Sequence, residues 1–192
     1  MHSEDRPLLV EGLLRPKDLV TYRKGELALN PVTGELITLS SEMIKICGID
    51  LEGQCIYFSQ SDNACTIYEK RPLECRLLKC WDTQPIEQLF LKDLLNRGDV
   101  IPPGSLLADL IKSYEKAFPV GLLADISMSL IKDEDDRSEE KSRLLESDKS
   151  FRRMACDRLG IDQQSCNFFF GRPVSLLFEA MESLFYRKTD KK

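Results

Sequence analysis

The sequence predicts a mainly α protein with a small β-hairpin and an irregular cysteine-rich segment packed on a helical domain. Three observations carry that expectation. From Ile86 onward, apolar residues recur at helical spacing, with capping serines, prolines and glycines at the breaks. The text GELALNPVTGELITLS, from Gly25, alternates apolar and polar residues on either side of a turn-forming stretch. Between the two lies Cys47 to Trp81, with five of the seven cysteines, many turn formers and little period of either kind. Residues 1–25 are read as an N-terminal arm, 26–82 as the hairpin and cysteine segment, and 83–192 as the helical portion of the same single domain.

In chain order, residues 1–20 lack a period, and Pro7 and Pro16 break them, so the arm is irregular or partly helical. His2 is expected to be a surface residue at a mobile terminus. A short hairpin spans residues 26–39, turning at Asn30-Pro31-Val32-Thr33-Gly34. Ser40 or Ser41 can then cap a short helix over Glu42–Ile46 that delivers Cys47. After Trp81, Asp82 or Thr83 caps a helix with Pro85 in its first turn. Ile86, Leu89, Phe90 and Leu94 share its inner face, and Gly98 ends it. Ser105 caps a second helix carrying Leu106, Leu107, Leu110, Ile111 and Tyr114 as far as Pro119, and a third runs from about Leu122 to Ile131. The charge run 132–143 reads as a solvated loop or helix end. Leu144–Leu159 forms one or two helices ending near Gly160. Phe168-Phe169-Phe170 is a short strand or a core plug, and Pro173 opens the final helix.

A chain of 192 residues is long enough to bury a core without staples. Its net charge of −5 argues against nucleic acid as the main partner, because phosphate binding needs a basic face. The N-terminal text is charged from Ser3 onward, unlike a secretory signal, and no apolar run approaches the ~20 residues that span a bilayer. The expected location is the cytoplasm, where thiols stay reduced. There, and with an odd count, the cysteines point to a metal site ahead of disulfides.

Cys47, Cys55, Cys65, Cys75 and Cys80 are separated by seven, nine, nine and four residues. Four thiolates are the ligand set of a structural zinc ion or of an iron–sulfur cluster, and soft sulfur excludes magnesium and calcium. The segment has few apolar anchors, so a bound metal is the cross-link a reducing compartment permits. Arg71 and Arg76 can offset the negative charge of such a centre, and Tyr68 and Trp81 either shield it or pack in the core. Cys156 and Cys166 lie in apolar surroundings and read as core thiols.

The string Cys65-Thr-Ile-Tyr68-Glu69-Lys-Arg71-Pro72-Leu-Glu-Cys75-Arg76 resembles the signature of the YkgJ-like cysteine-cluster family, whose domains are described as zinc- or iron-chelating. The earlier Cys55-Ile56-Tyr57-Phe58 fits the same pattern, and the resemblance covers roughly residues 26–82. Family members open with closely spaced cysteines. This chain instead has Cys47 with Asp50, and it adds Cys80 in CRLLKCW. The resemblance implies Cys47, Cys55, Cys65 and Cys75 as nominal ligands, with Cys80 as a contender for one place and Asp50 as a less favoured oxygen donor. It implies Zn2+ or an iron–sulfur cluster (4Fe–4S) as the bound group.

No GxGxxG, P-loop or nucleophile elbow is present, and no histidine is placed for a Cys–His dyad. The expected function is therefore a cytosolic metal-binding protein with a structural, carrier or redox role. Two alternatives stay open. One is an iron–sulfur-dependent protein-modifying enzyme related to the flagellin lysine methylases, whose cysteine segment is similar. The other is a partner-binding adaptor in which the metal is only a staple. Expected partners are the metal and, for the adaptor, a protein; nucleic acid and membrane are not expected.

Overall fold

The computed structural model describes residues 1–49, 53–132 and 136–189. It is mainly helical with short antiparallel strand pairs, as the apolar periodicity predicts. The chain opens with a 3-10 turn at Ser3–Asp5 and a short helix α1 (Arg6–Val10), and Pro16–Asp18 forms another 3-10 turn. Strand β1 (Leu19–Tyr22) pairs antiparallel with β4 (Met43–Ile46), Leu19 opposite Ile46 and Tyr22 opposite Met43. Nested between them, β2 (Leu27–Leu29) and β3 (Leu36–Thr38) form the expected hairpin. Its turn is set by Asn30, whose Oδ1 accepts the Val32 amide at 2.9 Å.

Two expectations for the first fifty residues fail. Glu42–Ile46 is not a helix. Ile44 is buried and Lys45 exposed, and this alternation lets β1 supply the hydrogen bonds that a capped helix would have made internally. His2 is not a surface residue at a mobile terminus either: Met1, His2 and Asp5 are buried, and residues 19–22 are strand.

In the cysteine segment, β5 (Phe58–Ser59) and β6 (Ala64–Cys65) make a minimal hairpin, and α2 (Leu73–Leu77) carries Cys75. Helix α3 (Gln84–Leu89) has Pro85 in its first turn but stops well before Gly98. Leu91 and Asp93 take φ values of 59° and 47°, so the backbone leaves helical geometry there.

The remaining helices are α4 (Leu106–Ala117), α5 (Val120–Ile131), α6 (Ser138–Leu159), α7 (Cys166–Phe170) and α8 (Val174–Thr189). Most of the expected stops hold. Ser105 Oγ accepts the Ala108 amide at 3.2 Å as a true N-cap. Pro119 separates α4 from α5, and Gly160 ends α6 in the left-handed region at φ 63°. Within the charge run, residues 133–135 lie outside the described residues, and α6 begins at Ser138. The Phe triplet is a core plug and not a strand: Phe168, Phe169 and Phe170 are all buried on α7. Thr21 Oγ1 on β1 donates to Phe168 O at 2.7 Å, which docks the strands on the helices.

The core is aromatic at its centre. The Tyr114 ring lies 4.8, 5.3 and 5.2 Å from those of Phe118, Phe151 and Phe170, inside the offset range that aromatic pairs favour. The Arg23 and Arg152 guanidiniums each stand 5.2 Å from the same ring. Charge pairs extend from this centre. Arg97 bonds Glu42 at 2.7 Å and Glu115 at 2.8 Å, Glu115 meets Arg23 at 3.2 Å, and Arg172 meets Glu26 at 2.6 Å. The strand region is thereby tied to α4 and to the α7–α8 corner.

That corner turns at Gly171, whose φ of 78° and ψ of −170° only glycine adopts readily. A Cβ there would come within 2.8 Å of Arg23 Cγ and 3.1 Å of Thr21 O. Gly171→Ala is therefore expected to lower stability by about 1–3 kcal/mol from backbone strain alone. A urea melt measures it, and an unshifted midpoint would show that the corner can move aside.

Candidate metal centre

The centre is assembled from the end of a strand, a tight loop, a minimal hairpin and one short helix. Cys47 follows β4, and its amide donates to Asp18 O at 2.9 Å. From there the chain doubles back so that Gly48 bridges Cys55, with Ile49 N–H donating to Gln54 O at 2.8 Å. A Cβ on Gly48 would lie 3.0 Å from Gly53 Cα, so glycine permits this close approach of the two arms. Cys47 and Cys55 are thereby held side by side. Asp50, the sequence's oxygen-ligand candidate, lies outside the described residues.

Asp18 also holds the next stretch. Tyr57 Oη donates to Asp18 Oδ2 at 2.8 Å, and Arg15 Nε reaches the same oxygen at 3.0 Å. Burial pushes the Asp18 carboxyl up, but the hydrogen bonds from Arg15 and Tyr57 prevail and hold it below its ordinary value. Burial first, then the Asp18 bond, moves the Tyr57 phenol well above its usual range. One residue after Tyr57, Phe58 pairs with Cys65, and Thr66 N–H donates to Tyr57 O at 2.8 Å.

Cys75 sits in the middle of α2. Cys47, Cys55 and Cys75 line one cavity of about 160 Å³, together with Lys45, Gly53 and Glu74. Cys75 is exposed at its surface side, yet partial burial first, and then the nearby Cys55, Glu74 and Cys65, hold its thiol above the ordinary pKa, with Arg71 pulling it down. Burial likewise raises the Cys47 thiol, with Asp18 adding to it. Four thiols thus share one neighbourhood. Among the described residues, no three Cys, His, Asp or Glu side chains already stand in position to hold a metal ion. As a donor set the four cysteines fit zinc or an iron–sulfur cluster, both of which take four thiolates.

The other candidates divide. Arg71 lies near Cys75; its guanidinium stacks 3.6 Å from the centre of the Tyr68 ring and its Nε donates to Tyr68 O at 2.8 Å. Arg76 pairs with Glu4 at the surface. Cys80 is exposed, as are Cys55 and Cys75, but unlike them it does not line the cavity. Trp81 is 84 % exposed and Tyr68 56 %, so neither packs in the core. Cys156 and Cys166 are buried among the helices, as expected of core thiols. Burial, then the adjacent Cys156, pushes the Cys166 thiol up to about 12.

Sequence reading missed Asp18, Lys45 and Glu74, and it misplaced His2. His2 is 1 % exposed, with Nδ1 2.7 Å from Lys92 O and Nε2 3.0 Å from Glu74 Oε1. Each of these four acts across a long sequence gap or through the folded cavity, which leaves no local motif. Only the alternation of Lys45 with Ile44 and Ile46 could have been found, once Met43–Ile46 is taken as a strand.

Fold and site together define a cysteine-cluster segment packed on a mainly helical body. Residues 16–92 match the family model CxxCxxCC, described as "Putative zinc- or iron-chelating domain". It is the family that the Cys65–Arg76 string resembles, and the match reaches beyond the string to β1 on one side and past α3 on the other. Residues 93–192 lie outside it. No curated protein and no solved structure matches the chain. Among the described residues, no helix is long and apolar enough to cross a membrane.

Proposed function

We propose that the chain is a metal-binding protein of the cytoplasm in which Cys47, Cys55, Cys65 and Cys75 hold a zinc ion or an iron–sulfur cluster. One observation carries the reading. Three of these thiols line a single cavity, and the fourth is close enough to act on Cys75. Drawing the sulfurs onto one centre takes side-chain movement, and losing the thiol protons is part of binding. A bound metal would cross-link three short pieces of chain and supply a structural or redox-active centre. Lys45 on the cavity wall and Arg71 beside Cys75 offset the charge of four thiolates.

Anaerobic purification followed by elemental analysis, sulfide assay and a visible spectrum tests this reading. A colourless protein with about one zinc per chain indicates a zinc site. A brown one with iron and acid-labile sulfide indicates a cluster. A reduced protein that carries neither metal, and takes up neither, would sink the proposal.

A further inference from the structure

Residues 2–5 form a strap between two parts of the cysteine domain. On one side, Ser3 N–H donates to Asp93 O at 2.8 Å and the His2 ring meets Lys92 O at 2.7 Å. On the other, Asp5 Oδ1 accepts the Leu73 amide at 2.7 Å, His2 Nε2 stands 3.0 Å from Glu74 Oε1, and Glu4 pairs with Arg76. The strap therefore touches Leu73, Glu74 and Arg76, which surround Cys75 on α2.

A helix of five residues cannot hold itself, because nucleation costs more than one turn returns. Its first amides also need partners from outside. The residue at its N-cap is Pro72, which makes no side-chain cap. Asp5 supplies the missing acceptor from 68 residues away. Its carboxylate is 1 % exposed, and its other oxygen accepts the His2 amide at 2.9 Å. A buried carboxylate is costly unless its bonds are made, and both of these fix where α2 begins.

We infer that Asp5, supported by His2, is a positioning residue of the metal centre: by capping α2 from the strap it aims the Cys75 sulfur into the cavity. The inference rests on the reading of Cys75 as a metal ligand. Asp5 itself touches no metal.

The test uses the full chain, reduced and metal-free, titrated with zinc against a chromophoric chelator. Asp5→Ala should weaken zinc binding by about 10- to 100-fold, the range for groups that orient ligands. In the metal-free protein it should also speed alkylation of Cys75, read by mass spectrometry, while Cys47 and Cys65 keep their rates. A merely structural role would speed all three together. Asp5→Asn keeps one acceptor for the Leu73 amide and should lie between wild type and Asp5→Ala. It serves as the test variant if Asp5→Ala does not fold. Unchanged zinc affinity in a chain that otherwise binds zinc, or alkylation that rises equally at all three cysteines, would overturn the inference. A wild type that takes up no zinc would count against zinc as the bound metal, and the alkylation ratio would then decide the role of Asp5 by itself.

Discussion

Asp148→Ala is expected to cost about 3–5 kcal/mol, the penalty for stranding one member of a buried ion pair. Asp148 is buried on α6 and accepts three bonds from three directions. Tyr114 Oη donates to Oδ1 at 2.6 Å, Arg152 Nε to Oδ1 at 2.7 Å, and the Val174 amide to Oδ2 at 3.0 Å. The last caps the first turn of α8, so a single carboxylate joins α4, α6 and α8. Arg152 is equally buried and spends its other donors on Tyr114 Oη at 2.7 Å, Gly171 O and Arg172 O at 3.0 Å and Cys166 O at 3.4 Å. Without Asp148, its cation loses the one ion-pair partner it has among the described residues. The expected loss is a large part of the ~5–15 kcal/mol that holds a typical domain together. Replacing both partners by apolar residues, Asp148→Leu with Arg152→Met, should recover much of it, because the desolvation cost disappears with the charges. Denaturant midpoints for the two singles and the double measure this. A single-variant loss below about 1 kcal/mol would show that water reaches Arg152 and that the pair is not isolated.

The helical half was legible because its signals are local. Ser105, Pro119, Gly160 and Pro173 act on backbone within one turn of themselves, so they read the same in the sequence and in the fold. The inner hairpin was legible for the same reason, since Asn30 bonds to its own turn. What failed depends on distant partners. Met43–Ile46 carried plausible capping serines, yet β1 decides its conformation from across the nested hairpin. Helix α3 ends early where the strap holds Lys92 O and Asp93 O, a contact no window around Leu91 could reveal. His2 looked like a frayed terminus and is instead a buried bridge. In the candidate centre, the string from Cys65 to Arg76, which contains Cys75, was a strong local sign. The placement of Cys47 beside Cys55 was not legible from spacing. It depends on the Gly48–Gly53 approach and on Asp18, which holds both Cys47 and Tyr57 from outside the segment.

Cys75→Ser is expected to release the metal and to loosen residues 47–81 while leaving the helices after residue 105 intact. The argument is one of anchors. Structural zinc contributes about 10–16 kcal/mol in small peptides that otherwise do not fold, and losing one of four thiolates removes a large part of that. Among the described residues, the cysteine segment has short strands, a 3-10 turn and the five-residue α2 as its regular structure, so little else there orders it. Its bonds to Asp18 and Asp5 give it some metal-independent order, so the loss should be local fraying and not collapse. Helices α4 to α8 carry their own buried faces, from Leu110 and Tyr114 to Leu177 and Phe178, and need no metal to pack. Limited proteolysis should then cut within 47–81 faster than in wild type, with most of the far-ultraviolet helical signal retained. Cys80→Ser and Cys156→Ser provide the contrast. Cys80 is exposed outside the cavity and Cys156 is a core thiol, so neither change should alter metal content or the cleavage pattern. If Cys75→Ser keeps its metal and its protease resistance, Cys47, Cys55, Cys65 and Cys75 are not the ligand set. If Cys80→Ser loses the metal instead, Cys80 takes a place in the set, and α2 must turn to bring it in.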